Sequence, residues 1–129
     1  MDVPADPRVN VYELYEQGRR RLDDGQPQAA AEVLELAVEH APHSALLRET
    51  LGRAYFATAR VQKARTQFEH ALALDPTDAY AHFGVGRCHE REGSLPDAAK
   101  HYKLACALND RRAYASALER VQGRLQASG

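Results

Sequence analysis

Apolar and polar residues follow one another along this chain with the period of a helix, and the same pattern returns at a fixed interval. Across residues 45–78, Leu47, Leu51, Ala54 and Tyr55 fall on one face of a first helix. Ala64, Phe68, Ala71, Leu72 and Leu74 fall on one face of a second. Residues 58–60 separate the two. Asp75-Pro76 closes the second, because proline lacks an amide hydrogen and disfavours helical geometry in the residue before it. Helices this short are marginal alone, so each apolar face needs a neighbour.

The neighbours are copies. Gly18, Gly52 and Gly86 stand 34 residues apart, as do Ala30, Ala64 and Ala98, and Ala37, Ala71 and Ala105. Leu34, Phe68 and Tyr102 form a column of large apolar residues, and Pro42 answers Pro76. The glycine and alanine columns remove side-chain bulk where paired helices cross. A helix–turn–helix unit of this period resembles the tetratricopeptide repeat family. The middle copy carries the signature best, in Leu51-Gly52, Tyr55, Ala64, Phe68, Ala71 and Pro76. The resemblance covers residues 11–112. It implies an all-α, right-handed superhelical solenoid of three helix pairs (residues 11–44, 45–78 and 79–112).

In chain order, residues 1–7 are polar and contain Pro4, so a flexible tail is expected ahead of a single domain over residues 8–129. Asp6-Pro7 reads as a cap and first position of a helix over residues 8–23. Asp24-Gly25-Gln26 then turns the chain into a helix over residues 27–40. Ser44 and Asp78 are expected N-caps, and Gly93-Ser94 is a turn before a helix that Pro96 opens and that ends near Leu108. Residues 111–126 read as a capping helix. Tyr114, Leu118, Val121 and Leu125 face the stack, while Glu119, Arg120, Arg124 and Gln126 form its outer side. Gly123 is expected to fray its end. The flanking copies depart from the signature. Leu14, Arg48 and His82 share one bulky position, and the Tyr55 column holds Arg21 and His89.

A formal net charge of −1 and a pI near 6.6 exclude binding to nucleic acid through bulk positive charge. No apolar run approaches the roughly 18–20 residues of a membrane span. The first ten residues lack the basic and apolar regions of a secretory signal. Cys88 and Cys106 form no metal motif or disulfide framework, and a cytoplasmic location is expected. No nucleophile and base are arranged for catalysis. Gly84-Val85-Gly86 lies within a helix rather than after a strand, and none of the six histidines forms a metal-binding pair. The expectation is therefore no enzyme, no cofactor and no metal.

The resemblance also implies where function resides. In this family the first helix of each pair lines a concave groove that holds peptides. The corresponding positions are Tyr12, Tyr15 and Arg19, then Leu46, Glu49, Thr50, Arg53 and Phe56, then Tyr80, Phe83, Arg87 and Arg91. Arg19, Arg53 and Arg87 keep the repeat period without belonging to its packing signature. Such a ladder suits an acidic or carboxylate-bearing peptide, which arginine binds through two parallel hydrogen bonds. Glu16 and Glu49 stand three and four residues before Arg19 and Arg53, so the ladder also reads as self-paired. The clamp with which some family members hold the acidic tail of heat-shock chaperones maps to Tyr15, Arg19, Thr50, Tyr80 and Gly84, and only Arg19 could substitute chemically. The expected function is a non-catalytic interaction module that binds a segment of a protein partner. The alternative is a scaffold that self-associates through the terminal repeat or capping helix.

Overall fold

The computed structural model describes residues 8–128, and all their regular structure is helical. The elements are α1 (Val11–Asp23), α2 (Pro27–His40), α3 (Ala45–Ala57), α4 (Val61–Leu74), α5 (Ala79–Arg91), α6 (Leu95–Leu108) and α7 (Arg112–Ser128). They form a helical-repeat solenoid in which each helix packs on the next.

Local chemistry sets the boundaries. Asn10, Ser44 and Asp78, again one repeat apart, each accept a backbone N–H from the residue three positions on, at 3.2, 3.2 and 3.0 Å. This satisfies one of the free amides at the start of α1, α3 and α5. The expected start of α1 at Asp6-Pro7 is corrected within the described residues. Arg8 to Asn10 are not helical, and Asn10 is the cap. Asp6, Pro7 and the expected tail lie outside the described residues. At the C-terminal end, the helix expected over residues 111–126 spans Arg112–Ser128.

Between the helices of each pair, the chain needs one residue in the left-handed region. Gly25 and Gly93 supply it with φ of 74° and 84°, but the middle copy has Ala59 there, at φ 62°. Side-chain-bearing residues pay for this conformation in steric crowding against their own backbone, about 1–2 kcal/mol.

The core forms where large side chains enter the space left by small ones. Leu34, Phe68 and Tyr102 are almost wholly buried, each against a glycine of the preceding helix. A Cβ on Gly18 would lie 2.5 Å from Leu34, on Gly52 2.8 Å from Phe68, and on Gly86 2.5 Å from Tyr102. Phe68 is held on its other side by Gly84, which the sequence placed in a glycine motif and at a clamp position but not in the core. Leu74, expected on the apolar face of α4, is 41% exposed because it lies in the last turn beyond the helix crossing.

Arg48 and His82 have a structural role in place of the expected apolar residue. Arg48 donates to Pro42 O at 3.1 Å and to Gln67 Oε1 at 3.0 Å. One repeat later, His82 bonds Pro76 O at 3.2 Å and His101 at 3.3 Å. Both clip a first helix to the loop before it and to the helix after it.

Two substitutions separate these constraints in urea denaturation. Gly86→Ala forces a methyl into the Tyr102 ring and is expected to cost about 1–3 kcal/mol. Ala59→Gly relieves the turn and is expected to gain about 0.5–1 kcal/mol, since greater freedom in the unfolded chain offsets part of the relief. An unchanged midpoint for either variant contradicts the corresponding packing or turn argument.

Candidate functional site

Beyond the sequential contacts, α1 touches α3 and α3 touches α5, with no comparable contact joining α2 to α4 or α4 to α6 among the described residues. The odd-numbered helices therefore lie on the inside of the curve. The capping helix continues their row. Tyr114 follows Tyr80 by one repeat, as Tyr80 follows Leu46, so α7 stands as the first helix of an unfinished fourth pair.

Three hollows merge into one groove along this inner surface. The first, of about 580 Å³, includes Leu46, Glu49, Arg53, Asp75, Asp78, Tyr80, Arg111 and Tyr114. It shares Arg53 and Tyr80 with a second of about 380 Å³, also lined by Leu22, Phe56, Ala57, Gly84, Arg87 and Arg91. Phe56, Arg87 and Arg91 continue into a third of about 400 Å³, completed by Glu90, Arg120 and Arg124.

The arginine ladder divides. Arg19 is bound by Glu16 at 2.9 Å and Asp23 at 3.4 Å, and lines none of these hollows. Arg53 instead lies 5.4 Å from the centre of the Tyr80 ring. Arg87 lies 4.2 Å from Phe56 and Arg91 5.0 Å from the same ring. These are cation–π distances. Among the described residues, none of these three arginines makes an ion pair.

Of the remaining expected lining residues, Leu46, Glu49 and Tyr80 border the groove. Tyr12 is 69% exposed and Tyr15 packs against the core, both away from the three hollows. Phe83 turns into the stack, with ring centres 4.9 Å from Tyr114 and 5.7 Å from Tyr102. Thr50 is buried and donates its hydroxyl to Leu46 O at 2.7 Å.

Two charged groups were not anticipated. Arg120 and Arg124, expected on the outer side of α7, reach Glu90 on α5. Arg120 grips it with two hydrogen bonds of 2.9 and 2.8 Å, and Arg124 approaches to 3.7 Å. Glu90 also accepts from the Tyr102 hydroxyl at 2.7 Å. These donors hold its carboxyl below the usual range despite partial burial. The register of α7 with α5 was the available signal, since Arg124 stands one repeat after Glu90. At the opposite end burial and then the like charge of Asp78 push the Glu49 pKa up to about 8, even though Arg53 and Arg111 pull the other way.

The histidines lie elsewhere. His101 stacks between His82 and His89, with ring centres 5.5 and 5.7 Å away. His82 Nε2–H donates to Pro76 O, so its Nδ1 accepts from His101 Nδ1–H. Burial, then the neighbouring His82, His89 and Lys100, lower the His101 pKa to about 4, against a smaller opposing pull from Asp97. Among the described residues no cluster suited to a metal ion was found, and no helix is long and apolar enough to cross a membrane.

The tetratricopeptide repeat family model matches residues 15–78 and 49–117, and the chain belongs to this family. No curated protein sequence matches it. Among solved structures, the first TPR domain of Spaghetti (RPAP3) bound to the HSP90 peptide SRMEEVD superposes with a TM-score of 0.88. It is 19% identical, over 96% of this chain and 98% of that one. The Yersinia enterocolitica type III secretion chaperone SycD, in complex with a peptide of the translocator YopD, gives 0.81 at 16% identity, over 92% of this chain and 98% of that one. MamA gives 0.80 at 25% identity, over 87% of this chain and 62% of that one.

The His101 environment predicts a pH dependence. The unfolded chain takes up the proton near pH 6.5 and the folded chain only near pH 4, so acidification through this window destabilises the fold. Glu49 acts in the opposite sense, because its folded pKa is raised from 4.5 to about 8, and falling pH favours the fold across that range. A comparison with His101→Gln, which copies Gln67 of the preceding repeat, isolates the histidine. Between pH 7 and pH 5 the wild type is expected to lose stability relative to the variant in urea denaturation. Parallel behaviour contradicts the assignment.

Proposed function

We propose that this chain is a non-catalytic module that takes an extended, carboxylate-bearing segment of a partner protein into the groove along α3, α5 and α7. The state of Arg53, Arg87 and Arg91 carries this reading. All three lie against aromatic rings at the groove wall, and none is held by a carboxylate among the described residues. A guanidinium in this state keeps its donors for an incoming carboxylate, while the ring beneath restricts it and offers apolar surface. Aromatic and arginine side chains are the usual anchors of such interfaces.

The peptide complexes of the Spaghetti domain and of SycD support a groove-binding role. The clamp positions Tyr15, Thr50, Tyr80 and Gly84 lack its basic and amide side chains, so a chaperone tail is not the proposed ligand. The free thiols of Cys88 and Cys106 suit the cytoplasm as the proposed location. A second reading, association of two copies, is favoured by one feature. An apolar hollow of about 660 Å³ lies between α6 and α7, lined by Pro96, Ala99, Leu104, Ala107 and Leu125 with Lys100 and Lys103. Val121 is fully buried in the packing of α7 and is no contact surface for a second copy.

Selection of random displayed decapeptides on the full chain tests the groove. Enriched peptides are expected to combine Asp or Glu with apolar residues. They should bind an Arg87→Glu/Arg91→Glu variant of unchanged helicity at least about tenfold more weakly, with affinity falling as salt rises. Equal affinity for that variant removes the groove from the account. Sedimentation showing dimers at micromolar concentration, with no peptide enriched, favours association instead.

A further inference from the structure

The groove is charged differently at its two ends. The end beside the C-termini of α3 and α5 holds Arg87, Arg91, Arg120 and Arg124 against a single carboxylate, Glu90. The other end holds Glu49, Asp75 and Asp78, with Arg53 and Arg111 beside them. Neighbouring hollows share side chains, Arg53 and Tyr80 and then Phe56, Arg87 and Arg91, so a single extended segment can reach both ends. The ends lie at opposite ends of the same helices: Asp78 and Arg91 are 13 residues apart along α5, about 20 Å at 1.5 Å per residue, which about six extended residues span at ~3.3 Å each.

We propose that the groove reads the order of charge along its ligand. The acidic residues of the bound segment gather over Arg87, Arg91, Arg120 and Arg124, and a lysine or arginine at its other end enters between Glu49 and Asp78. This deepens the peptide-binding reading and rests on it.

The basic end is prepared in two ways. Arg120 and Arg124 are already aimed by Glu90, which fixes their direction before any ligand arrives. Arg87 and Arg91 both lie against Phe56 in the same hollow, with no ion pair of their own among the described residues. A ligand carboxylate there meets four guanidiniums and one like charge.

The acidic end has the complementary need. Asp78 already spends one oxygen on the Ala81 amide, and Asp75 accepts from both the Thr77 amide and hydroxyl. Glu49 and Asp78 line the same hollow, where burial and the like charge of Asp78 push the Glu49 pKa up to about 8. Arg53 and Arg111 line that hollow too but make no ion pair with either carboxyl among the described residues. An ammonium or guanidinium of the ligand can take the proton's place, whereas an acidic residue there would meet repulsion. Cation binding at this end therefore releases a proton and strengthens as pH rises through 8, with Arg53, Arg111, Asp75, Asp78, Tyr80 and Tyr114 as the surrounding ionisable groups.

Three labelled decapeptides, followed by fluorescence anisotropy with the full chain at low salt, test this order. One has three lysines at one end and three glutamates at the other, separated by neutral and aromatic residues. The second has the same residues with the charges alternating, and the third has glutamate in place of lysine. The segregated peptide is expected to bind at least about tenfold more tightly than the alternating one, and more tightly at pH 8.5 than at pH 6.5. Glu49→Gln, checked for unchanged helicity, should reduce that preference several-fold and improve binding of the all-acidic peptide. Equal affinity for segregated and alternating peptides overturns the reading of charge order while leaving the groove as the binding site. Tighter binding of the all-acidic peptide by the wild type does the same. Failure of all three to bind overturns the groove reading and this inference with it.

Discussion

A large side chain seated against a helix that lacks one is the contact on which the rest of this structure depends. Leu34, Phe68 and Tyr102 occupy the space that a Cβ would take on Gly18, Gly52 and Gly86. That contact brings the two helices of each pair together, and the exclusion of water from it supplies the main cohesive force in a fold with no sheet or disulfide among its described residues. Because the same contact recurs in each pair, the pairs stack in register. The first helices then fall in a row on the inner surface. The groove is a consequence of that row.

The polar contacts that interrupt the apolar pattern follow the same geometry. Arg48 with Gln67, and His82 with His101, join equivalent points of successive repeats by different chemistry. The fold needs a donor directed at the carbonyl of the preceding loop, and arginine or histidine provides it. At the C-terminal end, Glu90 unites structure and site. It receives the Tyr102 hydroxyl from the core and the Arg120 guanidinium from α7, so the helix that closes the stack is also oriented over the groove.

The repeat, the helix pairs and most helix boundaries were legible in the sequence, because they rest on local signals: glycine and alanine columns, capping residues and prolines. The start of α1 was not, since Asp6-Pro7 and Asn10 are both credible caps and a single side-chain hydrogen bond at Asn10 distinguishes them. Periodicity placed Arg19, Arg53 and Arg87 in one ladder but not their partners. Arg19 has Asp23 as well as Glu16 within reach on its own helix, whereas Arg53 and Arg87 meet rings contributed by other helices or turns. Phe83 shares a helix face with residues of the groove, yet the rings of Tyr102 and Tyr114 draw it inward. The contribution of Arg120 and Arg124 depended on the direction in which α7 closes the stack, which an amphipathic pattern alone leaves open.

The central claim is that the inner surface, centred on the ring-supported arginines, is where a partner segment binds. Amide and side-chain NMR spectra of the labelled chain, recorded during titration with a glutamate-rich decapeptide, test it most directly. The account predicts saturable shifts at Arg53, Phe56, Tyr80, Arg87 and Arg91, with the outward faces of α2, α4 and α6 unmoved. Shifts confined to those outer faces, or to the hollow between α6 and α7, would contradict it.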